Sequence, residues 1–180
     1  MTCGRSKSRV TSVSLEVALP PASQKKKNSI KIVIDTREKE PYSFPLDGIT
    51  TTRRKLETGD YSLDGFEDRV TVERKSMDDF VSTVIHARSR FHKELKRLQL
   101  FETACVVVEG SLDDVLRRRY HGNAHPNSVF GSAISIIIDF GIPVYFCSNR
   151  QVACRFVEGY LQRFHRKVCS TCENDQQIKT

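Results

Sequence analysis

Three absences narrow what this sequence can be. No apolar run is long enough to span a bilayer, and the basic N-terminus is not followed by an apolar segment with a small-residue cleavage site. Neither a membrane anchor nor a secretory signal is therefore expected. An intracellular compartment is, the nucleus in a eukaryote or the cytoplasm in a prokaryote. The six cysteines, at 3, 105, 147, 154, 169 and 172, are scattered. Several have apolar neighbours, among which a thiol behaves as a small hydrophobe. His165 with Cys169 and Cys172 has ligand-like spacing, but a zinc site needs a fourth ligand and a second half-site that the sequence does not supply. No internal repeat is present, which excludes a solenoid.

What is present suits one globular domain with tails. The 180 residues are 38% hydrophobic and 28% charged, enough for one core and short of two. A net charge of +7 and a pI near 9.2 favour a polyanionic partner, although proteins that bind none share such a balance.

Residues 1–28 are rich in Ser, Lys, Arg and Pro, with Pro20-Pro21 and the run Lys25-Lys26-Lys27, and read as a mobile basic tail. Within it, Val13 to Leu19 alternates weakly, as an edge strand would. An ordered domain is expected over 29–168 and a polar tail over 169–180. Alternation predicts strands over Ile30–Ile34, Thr50–Leu56, Asp60–Leu63 and Arg69–Lys75, with Asp64-Gly65 as a turn. Ser76 is a helix cap with Asp79 three residues on, and Phe80, Val81, Val84 and Ile85 form the buried stripe that follows. Phe91, Leu95, Leu98 and Phe101 do the same for a second helix, reached through a basic loop Arg88-Ser89-Arg90. Ala104–Val108 is a central strand, and Ser111–Leu116 a short capped helix begun by Asp113 and Asp114. Val129–Phe140 is a helix so apolar that it must be buried on more than one side, in the core or at a subunit contact. Ile142–Cys147 is a last strand and Asn149 to about Lys167 a last helix. Strands first, then alternating helices and strands, argue for an α/β sandwich with a central mixed sheet.

The chemistry concentrates at Val72-Glu73-Arg74-Lys75-Ser76-Met77-Asp78-Asp79. Alternation puts Glu73 and Lys75 on one face and the valines in the core. A Glu-x-Lys pair alone is also what an ordinary salt-bridged edge strand looks like. Gly59-Asp60-Tyr61, one hairpin earlier, adds the second carboxylate that metal-dependent phosphodiester cleavage needs. Phosphodiester hydrolysis requires a nucleophilic water and a stabilised oxyanion, and Mg²⁺ on two or three carboxylates supplies both. Asp60 and Glu73 are the expected metal ligands, with Asp35 third because its strand ends at the same edge. Lys75 would lower the pKa of the attacking water or neutralise developing charge. Arg37 and Arg74 would clamp the phosphate with their planar forks, although alternation puts Arg74 on the valine face. The histidines at 86, 92, 121 and 125 are assigned to loops and helix faces.

Ile34-Asp35-Thr36-Arg37-Glu38, Leu56-Glu57-Thr58-Gly59-Asp60-Tyr61 and Val72 to Asp79 resemble the V-D-x-R-E, L-x-x-G-D-Y and V-E-R-K-S-x-x-D signatures of the XPF/Hef family of structure-specific DNA endonucleases. Val106 to Gly110, His125-Pro126-Asn127 and Asp139-Phe140-Gly141-Ile142-Pro143 resemble the later part of the same nuclease domain. The resemblance covers roughly residues 30 to 165. It implies a restriction-endonuclease-like three-layer sandwich and single-strand cutting of flaps, forks and bubbles with Mg²⁺ or Mn²⁺. It also implies site roles for Asp35, Asp60 and Glu73 together with Arg37, Arg74, Lys75 and Asp79. Arg88, Arg90, Lys93 and Arg97 are the expected DNA contacts.

Family members usually continue into helix-hairpin-helix motifs, and only a short tail follows Lys167 here. A DNA-gripping partner, a minimal nuclease or a fragment would each account for that. The family also works as dimers, so a homodimer or a heterodimer with a paralogue is expected, with the apolar helix as its contact unless a monomer buries it. Two other functions fit the same basic surfaces: a catalytically silent DNA-binding subunit and a Holliday-junction resolvase.

Overall fold

The computed structural model describes residues 29–177, and the side chains of 29–170. The proposed edge strand at 13–19 and the Lys25–Lys27 run lie outside the described residues. Six strands form one mixed sheet: β1 (Ile30–Ile34), β2 (Ile49–Arg53), β3 (Tyr61–Leu63), β4 (Val70–Ser76), β5 (Thr103–Glu109) and β6 (Val144–Phe146), in the order β2-β1-β3-β4-β5-β6. β3 runs antiparallel to both its neighbours, and every other pair is parallel.

Helices cover both faces, as expected of a three-layer α/β sandwich. On one side lie α1 (Met77–His86), α2 (Arg88–Leu98), the short α3 (Leu112–Leu116) and α4 (Pro126–Phe140). Phe80, Phe91, Leu95 and Val129 from these helices pack on Val106 and Val108 of β5. On the other side lies α5 (Arg150–Gln177), whose Val157, Leu161 and Phe164 meet Ile32, Leu63, Val70, Val72 and Val107. Residues 104–108 of β5 are all buried, the pattern of a parallel strand covered on both faces. β2 is a Thr-rich, largely exposed edge.

Several boundaries differ from expectation, β2 ending at Arg53 and β6 spanning only Val144–Phe146 among them. Arg88-Ser89-Arg90 is the first turn of α2 instead of a loop, because the break after α1 is confined to Ala87 (φ −113°) and α2 starts with no side-chain cap to announce it. α4 begins at Pro126, where proline's missing N–H costs nothing, and His125 Nδ1 caps the Asn127 amide at 3.2 Å. α5 continues past Lys167 to Gln177.

α4 also settles one open choice against internal burial. Val129, Ala133 and Ile136 are buried, while Ile134, Ile137 and Ile138 remain 46%, 44% and 74% exposed. The helix therefore presents an apolar outer face.

Candidate active site

Topology gathers the chemistry at one sheet edge. β1, β4 and β5 run the same way and β3 runs against them. The residue after β1 (Asp35), the residue before β3 (Asp60), the end of β4 (Glu73, Lys75) and the end of β5 (Glu109) consequently share that edge. Backbone bonds fix them there: the Asp35 amide donates to Asp60 O (2.9 Å), and the Asp60 amide to Val72 O (2.8 Å). Gly59 is required for this approach. Its φ is +85°, and a Cβ would stand 2.0 Å from Thr71 Oγ1.

Of these side chains, Asp60 and Glu73 open on a cavity of about 510 Å³ lined also by Arg37, Glu38, Arg74 and Asp79 among others. Asp60 Oδ2 accepts from the Arg74 amide at 2.8 Å, and Glu73 Oε1 accepts from Lys75 Nζ at 2.8 Å. Burial pushes the Asp60 carboxyl up to about 6 against the pull of the Arg74 amide, with the charge of Glu38 adding to the rise. Burial, then the charge of Asp60, raises Glu73 well above the ordinary carboxylate range. For Lys75, burial works against the ammonium but the carboxylates of Glu73 and Glu94 outweigh it. Lys75 is thus a cation, its Nζ 5.1 Å from the Phe91 ring centroid. Burial and the nearby carboxylates thus outweigh the Lys75 ammonium at both groups.

Asp35 reaches the same edge but is turned away from the expected metal role. Its Oδ1 accepts from the Arg37 amide and Nε (both 2.7 Å), and its Oδ2 from the Leu56 amide (2.6 Å) and Arg37 Nη2 (3.1 Å). Burial works against its charge, yet these bonds win and hold its pKa below the usual value. Asp35 thereby aims Arg37, which is also held by Leu56 O at 2.9 Å and lines the cavity. Arg53 secures the loop behind: one Nη2 donates to the carbonyls of Glu38 (2.6 Å), Thr36 (3.2 Å) and Asp35 (3.3 Å).

Arg74 stays on the valine face, as strict alternation requires, and its fork is already engaged. Nε and Nη2 bind both oxygens of Glu109 at 3.0 and 2.7 Å, and Nη1 lies 3.6 Å from Glu38. The expected free phosphate clamp is therefore replaced by a structural ion pair, and Arg74 reaches the site through its backbone amide. Burial disfavours the Glu109 carboxylate, but the bonds from Arg74 override it and lower its pKa. Asp79 is the partner of the Ser76 helix cap, as the sequence spacing implies. Its amide donates to Ser76 Oγ (3.1 Å), and the Ser76 hydroxyl donates to Asp79 Oδ2 (2.7 Å).

The four expected DNA contacts divide. Arg88, Arg90 and Lys93 are exposed on α2, with Arg88 Nε 3.4 Å from His92 Nε2. Arg97 instead donates to Thr58 Oγ1 at 3.1 Å, bracing the turn that carries Asp60. Sequence reasoning missed Glu94, whose charge bears on Asp60, Glu73 and Lys75. It also left Glu38 and Glu109 without roles, although both stand inside quoted motifs.

Among the described residues no three His, Cys, Asp or Glu side chains group as a metal-binding set. The donor pair that remains, Asp60 and Glu73, is all-oxygen and suits Mg²⁺, which takes one or two carboxylates and completes its shell with water and phosphate oxygens. Cys169 Sγ lies 3.7 Å from His165 Nε2, while the Cys172 side chain is outside those described.

The chain is similar to known proteins in both sequence and fold. A family model, the ERCC4 domain, matches residues 34–160. Over 125 residues the chain is 37% identical to a Methanocaldococcus jannaschii protein named as an ATP-dependent RNA helicase, covering 69% of this chain and 14% of that one. Over 139 residues it is 28% identical to the 3'-flap repair endonuclease Xpf of Saccharolobus solfataricus, covering 75% and 56%. The chain thus spans 14% to 56% of the length of these curated relatives. In structure it resembles XPF from Aeropyrum pernix with a TM-score of 0.60 at 23% identity, over 79% of this chain and 69% of that one. It resembles the same protein in complex with DNA with a TM-score of 0.57 at 25% identity, over 77% and 66%.

Proposed function

The chain belongs to the ERCC4 domain family, and on that premise we propose that it is a divalent-metal-dependent, structure-specific DNA endonuclease that cuts one strand of branched DNA beside the junction. The observation that carries this is the convergence of Asp60, Glu73 and the Asp35-held Arg37 on one open cavity, with Lys75 bound to Glu73 behind it. Asp60 and Glu73 would hold Mg²⁺ or Mn²⁺. When bound, the ion would supply Lewis acidity to a water and to the scissile phosphate. Lys75, held on Glu73, puts a fixed cation where negative charge accumulates. Arg37, prevented from swinging by Asp35 and Leu56 O, offers its remaining N–H edge to a phosphate oxygen. Arg88, Arg90 and Lys93, exposed on α2, would supply sequence-independent contacts to the DNA backbone.

The proposed substrate is that of the flap endonuclease relative and not of the helicase-named one. The 180 residues contain no G-x-x-x-x-G-K-[ST] phosphate loop, so the matched segment is not an ATP-hydrolysing one of that type. The exposed Ile134, Ile137 and Ile138 face of α4 would seat a second copy or a paralogous subunit, because an unpartnered row of this kind on a 15-residue helix is costly in water. Among the described residues no helix is long and apolar enough to cross a membrane.

The test is a panel of flap, fork, bubble and four-way DNAs incubated with the chain in Mg²⁺, Mn²⁺ or EDTA. One-strand cutting near the junction, lost in EDTA and in Asp60→Ala and Glu73→Ala, is expected. Unimpaired cutting by both variants would overturn the site. Tight binding without cutting would identify a silent scaffold, and paired symmetric cuts on four-way junctions a resolvase.

A further inference from the structure

Beyond the loop that walls the catalytic cavity lies a second cavity of about 490 Å³. Glu38, Lys39 and Glu40 line the first, and Pro41, Tyr42, Ser43 and Pro45 continue the same loop along the second. The opposite wall is the start of α5, with Arg150, Cys154 and Arg155. The partition is firmly built. Arg150 Nη2 donates to the carbonyls of Glu40 (2.5 Å) and Pro41 (3.1 Å), and its Nη1 donates to the Glu109 carboxylate that holds Arg74 (3.0 Å). Cys154 Sγ meets Ser43 O at 3.6 Å. The walls are mainly apolar, and the Arg155 side chain stands at the rim, 62% exposed and paired with Glu158 only at 3.7 Å. A volume of this size accommodates one nucleotide.

From that rim a basic ridge leads away. Arg155, Gly159, Arg163 and Arg166 follow one another at i, i+4, i+8 and i+11, on one side of α5. Residues 150–170 contain five Lys or Arg and a single acid, Glu158, which is fully buried. All four positions are exposed, and nothing lies within 4 Å of where a Gly159 Cβ would stand. It extends roughly 16 Å at the rise of an α-helix. An apolar seat for a base joined to a positive track for the backbone is how sequence-tolerant single-strand binding is built.

Resting on the endonuclease reading above, we propose that this cavity and ridge hold the unpaired arm of the branched substrate, one nucleotide in the cavity and the following phosphates along α5. The occupant is a single strand of nucleic acid, recognised by base burial and charge and not by sequence.

The chain contains no tryptophan, so Gln151→Trp places a unique fluorophore in the cavity wall. In EDTA, where no cutting occurs, a twelve-residue oligothymidylate is expected to quench the emission of the introduced indole. Fluorescence anisotropy of the labelled oligonucleotide on the otherwise unaltered chain provides a second readout. There Arg155→Ala is expected to weaken binding three- to tenfold and to reduce the slope of log K against log salt by about 0.7. The proposal fails if the oligonucleotide leaves the indole of Gln151→Trp unquenched, or if Arg155→Ala changes neither affinity nor slope. It also fails if free thymidine monophosphate quenches as strongly and at the same concentration, which would make the cavity a mononucleotide site. Failure of the wild-type chain to cut any branch in Mg²⁺ would sink the endonuclease assignment alone and leave these binding results standing.

Discussion

Replacing Asp60 by Asn should make the metal-free protein more stable while removing its activity. The Asp60 carboxyl, ordinarily at 3.8, is pushed up to about 6 by burial, with the charge of Glu38 adding to it. At about 1.4 kcal/mol per pH unit, keeping it ionised well above pH 6 costs the fold about 3 kcal/mol. The site is an open cavity and the charge of Asp60 also bears on Glu73, so roughly 1–2 kcal/mol is the expected observable. Because the folded-state pKa is raised, stability from this group is full below about 4 and is lost as pH rises through about 6. Asn keeps an oxygen for the Arg74 amide and never ionises. Thermal unfolding in EDTA at pH 7.5 should show Asp60→Asn melting about 3–6 °C above wild type. The gap should close as pH falls to 4.5. Mg²⁺ should raise the wild-type melting temperature and leave the variant unmoved. A variant less stable than wild type at pH 7.5, or a gap that ignores pH, would refute the account of a carboxylate held ionised against its surroundings.

Gly59→Ala combines a positive φ with a clash against Thr71 and should cost about 2–4 kcal/mol in urea unfolding, with cleavage lost through displacement of Asp60. Glu109→Gln leaves the Arg74 guanidinium, 10% exposed, with Glu38 at 3.6 Å as its nearest acid, and should cost about 2–3 kcal/mol. Since the Glu109 pKa is lowered, that difference should be present above the ordinary range near 4.5 and shrink as pH falls below it. Arg53→Ala frees three loop carbonyls and should lower kcat about tenfold with little change in KM, partly restored by Arg53→Lys. Ile134→Glu with Ile138→Glu should leave stability within about 0.5 kcal/mol of wild type, and sedimentation should show a wild-type dimer reduced to a monomer.

The strands were legible because burial imposes a period of two, so Ile30–Ile34 and Val70–Lys75 announced themselves, and the all-apolar Ala104–Val108 announced a central strand. Asp60, Glu73 and Lys75 could be brought together from sequence because hairpin strands and alternation are local rules. Glu94 and Arg53 could not, since each reaches the site from an element whose packing angle no local pattern states. Arg88-Ser89-Arg90 looked like a loop for a related reason. Without a capping side chain or a Gly or Pro, a one-residue helix break has no signature in composition.

Which face of β4 each acid and base occupies is already written in its order along the strand, because alternation leaves no freedom in that. How each group is employed follows from packing. Asp35 holds Arg37, Arg74 is bound to Glu109, and Glu73 is bound to Lys75, while burial raises the pKa of both Asp60 and Glu73. A hydrogen-bond partner is chosen by distance, and distances across β1, β4, β5 and α2 are set by the packing of two hydrophobic layers, which no residue encodes alone.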